Sequence, residues 1–321
     1  MLTSALSAAL ALALALWMLP RLSNPFQLHN LDTKIAPCAR FLLSIEHRQR
    51  TGNVIFMNAS IPFQLYDDER LDEINENLRL IQKKDGLTFG TDAYLLSAFA
   101  RPFPGKLCVD LGSGTGVAAL LCQSRCKYRH VTAVEIQNAF CDLIKRNASL
   151  NGMTDSVDVL NRDVRSITAK DLTEHPAVVI SNPPYMAADS GFSSADTRMD
   201  IARRELNGTI YDFCRTASDL LQSGGLFYTV YRPDRMVDLL TALRQTKLEP
   251  KRIITVYPDT DSRPCLILVE SRKDGAPQLL QSRPLIIYKS QKERVYTDAM
   301  ARVYDTFSLE FLFANKTEKH I

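Results

Sequence analysis

The residues with the clearest chemical promise are Ser181-Asn182-Pro183-Pro184-Tyr185, which follow the apolar run AVVIS. Two adjacent prolines hold an extended, rigid backbone. Asn182 adds a side-chain carbonyl acceptor and an amide donor. Tyr185 adds a flat face for stacking. Together they suit a planar group that carries an NH₂. The nitrogen of such a group is a poor nucleophile, because its lone pair is delocalised. Accepting its two hydrogens at Asn182 Oδ1 and the Pro183 carbonyl raises electron density on nitrogen and bends it toward sp³, while the Asn182 amide donates to the ring. The rest is positioning for an in-line displacement. No general base, Ser-His-Asp set or metal is required. Five histidines form no ligand pair, so no metal is expected.

An electrophile for that nitrogen is suggested by Asp110-Leu111-Gly112-Ser113-Gly114-Thr115-Gly116. Gly112, Gly114 and Gly116 stand where an apolar strand must turn into a helix, and glycines let backbone approach a ligand closely. The spacing GxGxG is not the GxGxxG of dinucleotide phosphate binders. A ligand with an amino group instead wants a carboxylate, which Asp110 supplies. Glu135 closes the next apolar run and can accept both ribose hydroxyls of a nucleoside. Asp163 follows the third run and is placed to accept from an adenine amino group. S-adenosylmethionine carries all three features. Taken singly, the glycines also fit a structural turn, and each acid also fits a surface strand end.

These segments need a scaffold. Glu69–Leu80 has Leu71, Ile74, Leu78 and Ile81 at near-helical spacing, which predicts a helix. Thr91–Ala100 reads as a second helix, with Thr91 or Asp92 available to cap it. Beyond Pro104, strands and helices alternate. Lys106–Leu111, His130–Ile136, Ser156–Leu160, Ala177–Ser181 and Leu226–Tyr231 read as strands. Val117–Arg125, Asn138–Leu150, Thr209–Gln222 and Pro233–Gln245 read as helices. Alternation of this length predicts an α/β fold, a parallel sheet with helices on both faces. Ile253–Tyr257 and Cys265–Glu270 follow in succession and suggest an antiparallel edge hairpin.

The chain has 321 residues, 45% hydrophobic and 23% charged, which excludes a disordered or fibrous protein. Its net charge of +3 gives no warrant for nucleic-acid binding. The seven cysteines include no CxxC pair and read as reduced thiols in a reducing compartment, the cytoplasm. Residues 1–56 stand apart. No charge occurs from Leu2 to Pro20, near the lower limit for a membrane-spanning helix. Membrane association is expected only through residues 2–20, and the positive charges that follow would keep the remainder on the cytoplasmic side. A mis-assigned start codon or non-functional extension is the first reading, ahead of a membrane anchor and a targeting peptide, because Met57 opens a natural beginning. The catalytic domain is expected to be 57–321.

Over residues 65–315 the chain resembles the tRNA1(Val) adenine-37 N6-methyltransferase family, within the class I S-adenosylmethionine-dependent methyltransferases. The resemblance rests on Arg70-Leu71-Asp72, on Gly90-Thr91-Asp92-Ala93-Tyr94-Leu95-Leu96, and on the glycine motif. It continues through Glu135, Arg146-Asn147, Asn151-Gly152, Asp163 and the Asn182–Tyr185 tetrad. Ala202-Arg203-Arg204-Glu205 departs from the family's A-R-H-E at Arg204. The resemblance implies a Rossmann-like, seven-stranded, mostly parallel sheet with an antiparallel last strand. It also implies S-adenosyl-L-methionine as cofactor, with Thr91 and Asp92 near its methionine end, and tRNA as partner. An adenine of the anticodon loop would flip into the Asn182–Tyr185 pocket.

Two other amino-methylating readings share the tetrad: glutamine N5-methylation of release factors and DNA adenine methylation. The former usually brings a longer helical N-terminal domain, the latter a large target-recognition domain. Lys83, Lys84, Arg203, Arg204, Arg232, Arg235, Lys251 and Arg252 are the basic residues expected to meet RNA phosphates.

Overall fold

In the computed structural model, residues 65–75, 77–84, 90–184 and 208–314 are described. The N-terminal apolar segment, Tyr185, Arg203 and Arg204 lie outside them.

The first element corrects the sequence reading. The predicted helix over 69–80 is an antiparallel hairpin of β1 (Glu69–Asn75) and β2 (Leu78–Lys83), with Leu71 opposite Ile81. Asn75 Oδ1 accepts from the Asn77 N–H at 2.9 Å, a side-chain turn that reverses the chain. On β2, Leu78 and Leu80 are buried and Arg79 between them is exposed, the period of a strand. The near-helical spacing came from counting across the turn.

Helix α1 (Thr91–Phe99) follows, buried from Ala93 onward. Neither Thr91 nor Asp92 caps it. Gly90 holds the cap position, with no side-chain cap bond. The alternating part then runs β3 (Phe103–Leu111), α2 (Val117–Ser124), β4 (Tyr128–Glu135), α3 (Asn138–Leu150), β5 (Val157–Asn161) and β6 (Val178–Ser181). It continues with α4 (Ile210–Leu220), β7 (Leu226–Tyr231), α5 (Met236–Gln245), β8 (Leu248–Tyr257) and β9 (Leu266–Lys273). Helix α4 is capped as its sequence implies, Thr209 accepting from the Asp212 N–H. Two-residue strands β10 (Leu280–Gln281) and β11 (Leu285–Ile286) and helix α6 (Asp298–Thr306) complete the described chain.

The main sheet has the order β10-β8-β9-β7-β6-β3-β4-β5, with β11 also on β8. Strands β3 through β7 are parallel, and β9 is antiparallel to both β7 and β8. The expected seven-stranded core is therefore present, with β10 and β11 added. The late hairpin exists, but β9 is an interior strand and β8 carries the added strands. Consecutive strand residues face opposite sides, as the continuous apolar runs require. Val178 and Tyr228 pack with α1 and α2, and Val179 and Phe227 pack with α4 and α5.

Candidate active site

Strand register brings the predicted chemistry to one end of the sheet. Leu111 on β3 pairs with Val134 on β4 and with Ser181 on β6. Asp110, Glu135 and Asn182, each within one residue of those pairs, therefore share the carboxyl end of three adjacent parallel strands. The chain runs outward from β3 through β4 to β5, then returns to β6 on the other side of β3. Such a switch point is where open α/β sheets leave a crevice for ligand. Ser181 Oγ donates to the Leu111 carbonyl at 2.8 Å and ties the two strand ends together.

A cavity of about 570 Å³ opens there, lined by Asp92, Asp110, Gly112, Gly114, Glu135, Asn182, Pro183 and Pro184 among others. Glu135 is held from both sides. Its Oε2 accepts from the Gly114 N–H at 2.9 Å and its Oε1 from the Gln137 N–H at 2.8 Å. Gly114 has φ +56, a conformation that L side chains rarely adopt, and that turn points its N–H at the carboxylate. Gly112 answers a second demand, since a Cβ there would lie 2.9 Å from the Phe213 ring of α4. Asp110 is buried and accepts from Ser113 Oγ at 2.6 Å. Burial pushes its carboxyl up to about 6, partly offset by the Ser113 hydroxyl. Burial also raises Glu135, against the backbone groups of Gln137, Gly114 and Ile136 that favour its charge.

Asn182 is anchored across the cavity. Its Nδ2 donates to Asp92 Oδ2 at 2.9 Å. The amide expected to donate to a base ring is thus given to a carboxylate of α1.

Other expectations fare differently. Gly116 caps α2 with φ +81 and, like Thr91, is not among the lining residues. Asp163 does not line the cavity either, although its neighbours Arg162 and Val164 do. Its carboxylate takes the Arg165 guanidinium, Nε to Oδ1 at 3.0 Å and Nη2 to Oδ2 at 2.5 Å. Ile136, Gln137, Phe140 and Phe213 line the cavity and were not expected there, and Gly90, quoted only for the resemblance, lines it too. Ile136 and Gln137 directly follow Glu135, a position from which they were legible. Phe140 and Phe213 read as ordinary helix-face residues.

Of the expected phosphate contacts, Arg252 is corrected. It is buried, pairs with Glu270 at 3.0 Å and Glu310 at 2.8 Å, and lies 3.9 Å from the Phe313 ring centroid. Its place is in the core. Lys83, Arg232 and Arg235 each meet a nearby carboxylate.

The residues fit S-adenosylmethionine. The cavity has the volume of a small-molecule site. Glu135 offers acceptors for ribose hydroxyls and Asp110 for an amino group, while the glycine turn keeps side chains out of the space between. Among the described residues no group of His, Cys, Asp and Glu could hold a metal ion, and no helix is long and apolar enough to cross a membrane. The six cysteines there are all free.

The methyltransferase small domain model matches residues 83–246, just over half of the chain. A tRNA1(Val) (adenine(37)-N6)-methyltransferase of Porphyromonas gingivalis is 27% identical over 193 residues, 54% of this chain and 75% of the relative. The protein so named in Histophilus somni is 25% identical over 231 residues, 72% of this chain and 94% of the relative. Among solved structures, "a predicted O-methyltransferase" from Agrobacterium tumefaciens matches with a TM-score of 0.55 at 23% identity. That match covers 68% of this chain and 97% of the other, a likeness of fold.

Proposed function

The chain belongs to the methyltransferase small domain family and is an S-adenosylmethionine-dependent methyltransferase; from that premise we propose that it methylates N6 of an adenine in tRNA, at position 37 of a valine tRNA anticodon loop. The observation that carries this reading is the place of Asn182, Pro183 and Pro184. They share one cavity with Asp110, Gly114 and Glu135. A cofactor site alone would serve oxygen, carbon or nitrogen targets. A rigid proline pair with an amide beside that site serves an amino nitrogen.

When bound, S-adenosylmethionine supplies an electrophilic methyl group on a sulfonium. The chain supplies position and hydrogen-bond acceptors. Glu135 and Asp110 hold the ribose and amino ends. Asn182 Oδ1 and the Pro183 carbonyl accept the two hydrogens of the target amine and direct its lone pair along the line of attack. Tyr185 is assigned the stacking role for a flipped base. The relatives' tRNA specificity supports adenine over a glutamine carboxamide, which the same acceptors would also fit.

Mass spectrometry of nucleosides from total tRNA, with and without the gene, tests the assignment. Loss of N6-methyladenosine from a valine tRNA is expected. Unchanged tRNA, with methylated glutamine appearing on a release factor incubated with the purified protein, would move the substrate to protein.

A further inference from the structure

Asn182 sits at the end of β6 and Asp92 in the first turn of α1, ninety residues apart in sequence, and both line the cavity. We propose that Asp92 is a positioning residue for the transfer: it fixes the side-chain amide of Asn182 so that Oδ1 is the atom presented to the target amine. The proposal rests on the amino-methylation reading above.

The two ends of an asparagine amide have nearly the same shape and opposite hydrogen-bonding sense. Turned one way, Asn182 accepts a hydrogen from the amine. Turned the other way, it points two hydrogens at a group that also carries two hydrogens. The choice needs a neighbour that can only accept, and a carboxylate is one. With Nδ2 donating to Asp92 Oδ2 at 2.9 Å, the planar amide carries Oδ1 on its opposite side.

Asp92 is itself held. Its Oδ1 accepts from the Ala93 N–H at 2.8 Å, at a helix N-terminus that favours negative charge. The carboxylate folds back over residue 90, where a Cβ would lie 2.2 Å from Asp92 Oδ1. Gly90 has φ −108, an ordinary value for any residue. Its glycine is therefore explained by the space that the carboxylate occupies and not by backbone strain. Gly90, Asp92 and Asn182 form a relay from α1 to the reacting atoms.

Two measurements test it. In ¹⁵N spectra, the Asn182 side-chain NH₂ pair (identified by its loss in Asn182→Asp) should be protected from exchange. The protection should disappear in Asp92→Ala and in Gly90→Ala, which leaves Asp92 in place but displaces its carboxylate. In single-turnover methylation of tRNA transcripts at saturating cofactor, Asp92→Ala should be slower by about 10²-fold, the scale of a misplaced reacting group. Asp92→Asn, which keeps one acceptor oxygen, should recover part of that loss. Asp92→Ala combined with Asn182→Ala should be no slower than Asn182→Ala alone. An unchanged NH₂ pair, or a loss confined to cofactor affinity with full rate at saturation, would overturn the proposal. Wild-type protein that shows the protected pair but methylates no tRNA would instead overturn the substrate reading and leave the relay standing.

Discussion

Asp110 shows how one buried carboxyl links the site to pH. Its folded value, about 6, lies above the 3.8 of an exposed aspartate. The ligand-free native state therefore takes up a proton between pH 6 and 3.8 that the unfolded chain does not. By linkage, Asp110's contribution to stability rises as pH falls through that window. Its proposed function runs the other way. In the proposed role of acceptor for the cofactor's amino group, Asp110 must be ionised, so cofactor affinity should fall below pH 6 by up to about tenfold per unit. Asp110→Asn should bind weakly at every pH and flatten the profile. Calorimetric titration between pH 7.5 and 5 checks this, and a Kd that stays constant in the wild-type protein would remove Asp110 from cofactor binding.

Among the elements, the β1–β2 hairpin is the instructive one, because a helix supplies its missing strand partner. Asn147 on α3 and Asn151 at its C-cap stand four residues apart, a rise of about 6 Å. On β2, Ile81 and Arg79 stand two residues apart, about 6.6 Å. Each asparagine amide pairs with both backbone groups of one strand residue. Ile81 N–H donates to Asn147 Oδ1 at 2.7 Å, and Asn147 Nδ2 donates to the Ile81 carbonyl at 3.1 Å. Asn151 does the same for Arg79 at 2.9 and 2.7 Å. Arg146 adds two bonds of 2.8 Å to buried Glu69, whose carboxyl is held down at about 2. That pairing contributes stability above pH 4.5, which is lost as pH falls toward 2. Asn147→Ala leaves the buried backbone of Ile81 unpaired and should cost about 1–3 kcal/mol. Asn151→Ala, on the exposed side, should cost less. Urea denaturation of the two variants ranks them, and an equal or reversed order would show that the hairpin does not depend on this ladder.

Across the molecule, the cavity-lining residues fall between Gly90 and Phe213, and the two cores on either side of the sheet draw on Leu78 through Leu312. The expected catalytic unit, 57–321, contains every described residue of that cavity. Protein begun at Met57 should therefore keep the cofactor affinity and thermal midpoint of the full chain. Calorimetry and a melting curve on the two proteins compare them directly. Weaker cofactor binding by the shorter protein would show that the first 56 residues belong to the catalytic unit.

The amino-acid sequence by itself determined the alternating strands and helices, the glycine turn and the acids at the strand ends. Each of these depends on neighbours close in the chain: apolar runs long enough to be buried on both faces, and glycines where φ must be positive. It also determined that Asn182-Pro183-Pro184 ends a strand. Only the tertiary structure decided what those residues meet. Residues 69–83 became a hairpin because their hydrogen-bond partners sit on α3, some seventy residues away, where strand propensity is overruled or supported by packing. Asp163 met the exposed guanidinium of Arg165, and Arg252 entered the core between Glu270, Glu310 and Phe313, since a buried charge needs counter-charges to compensate its desolvation. The pairing of Asp92 with Asn182 was equally out of reach, because a side-chain amide has no preferred orientation until a fold places an acceptor beside it.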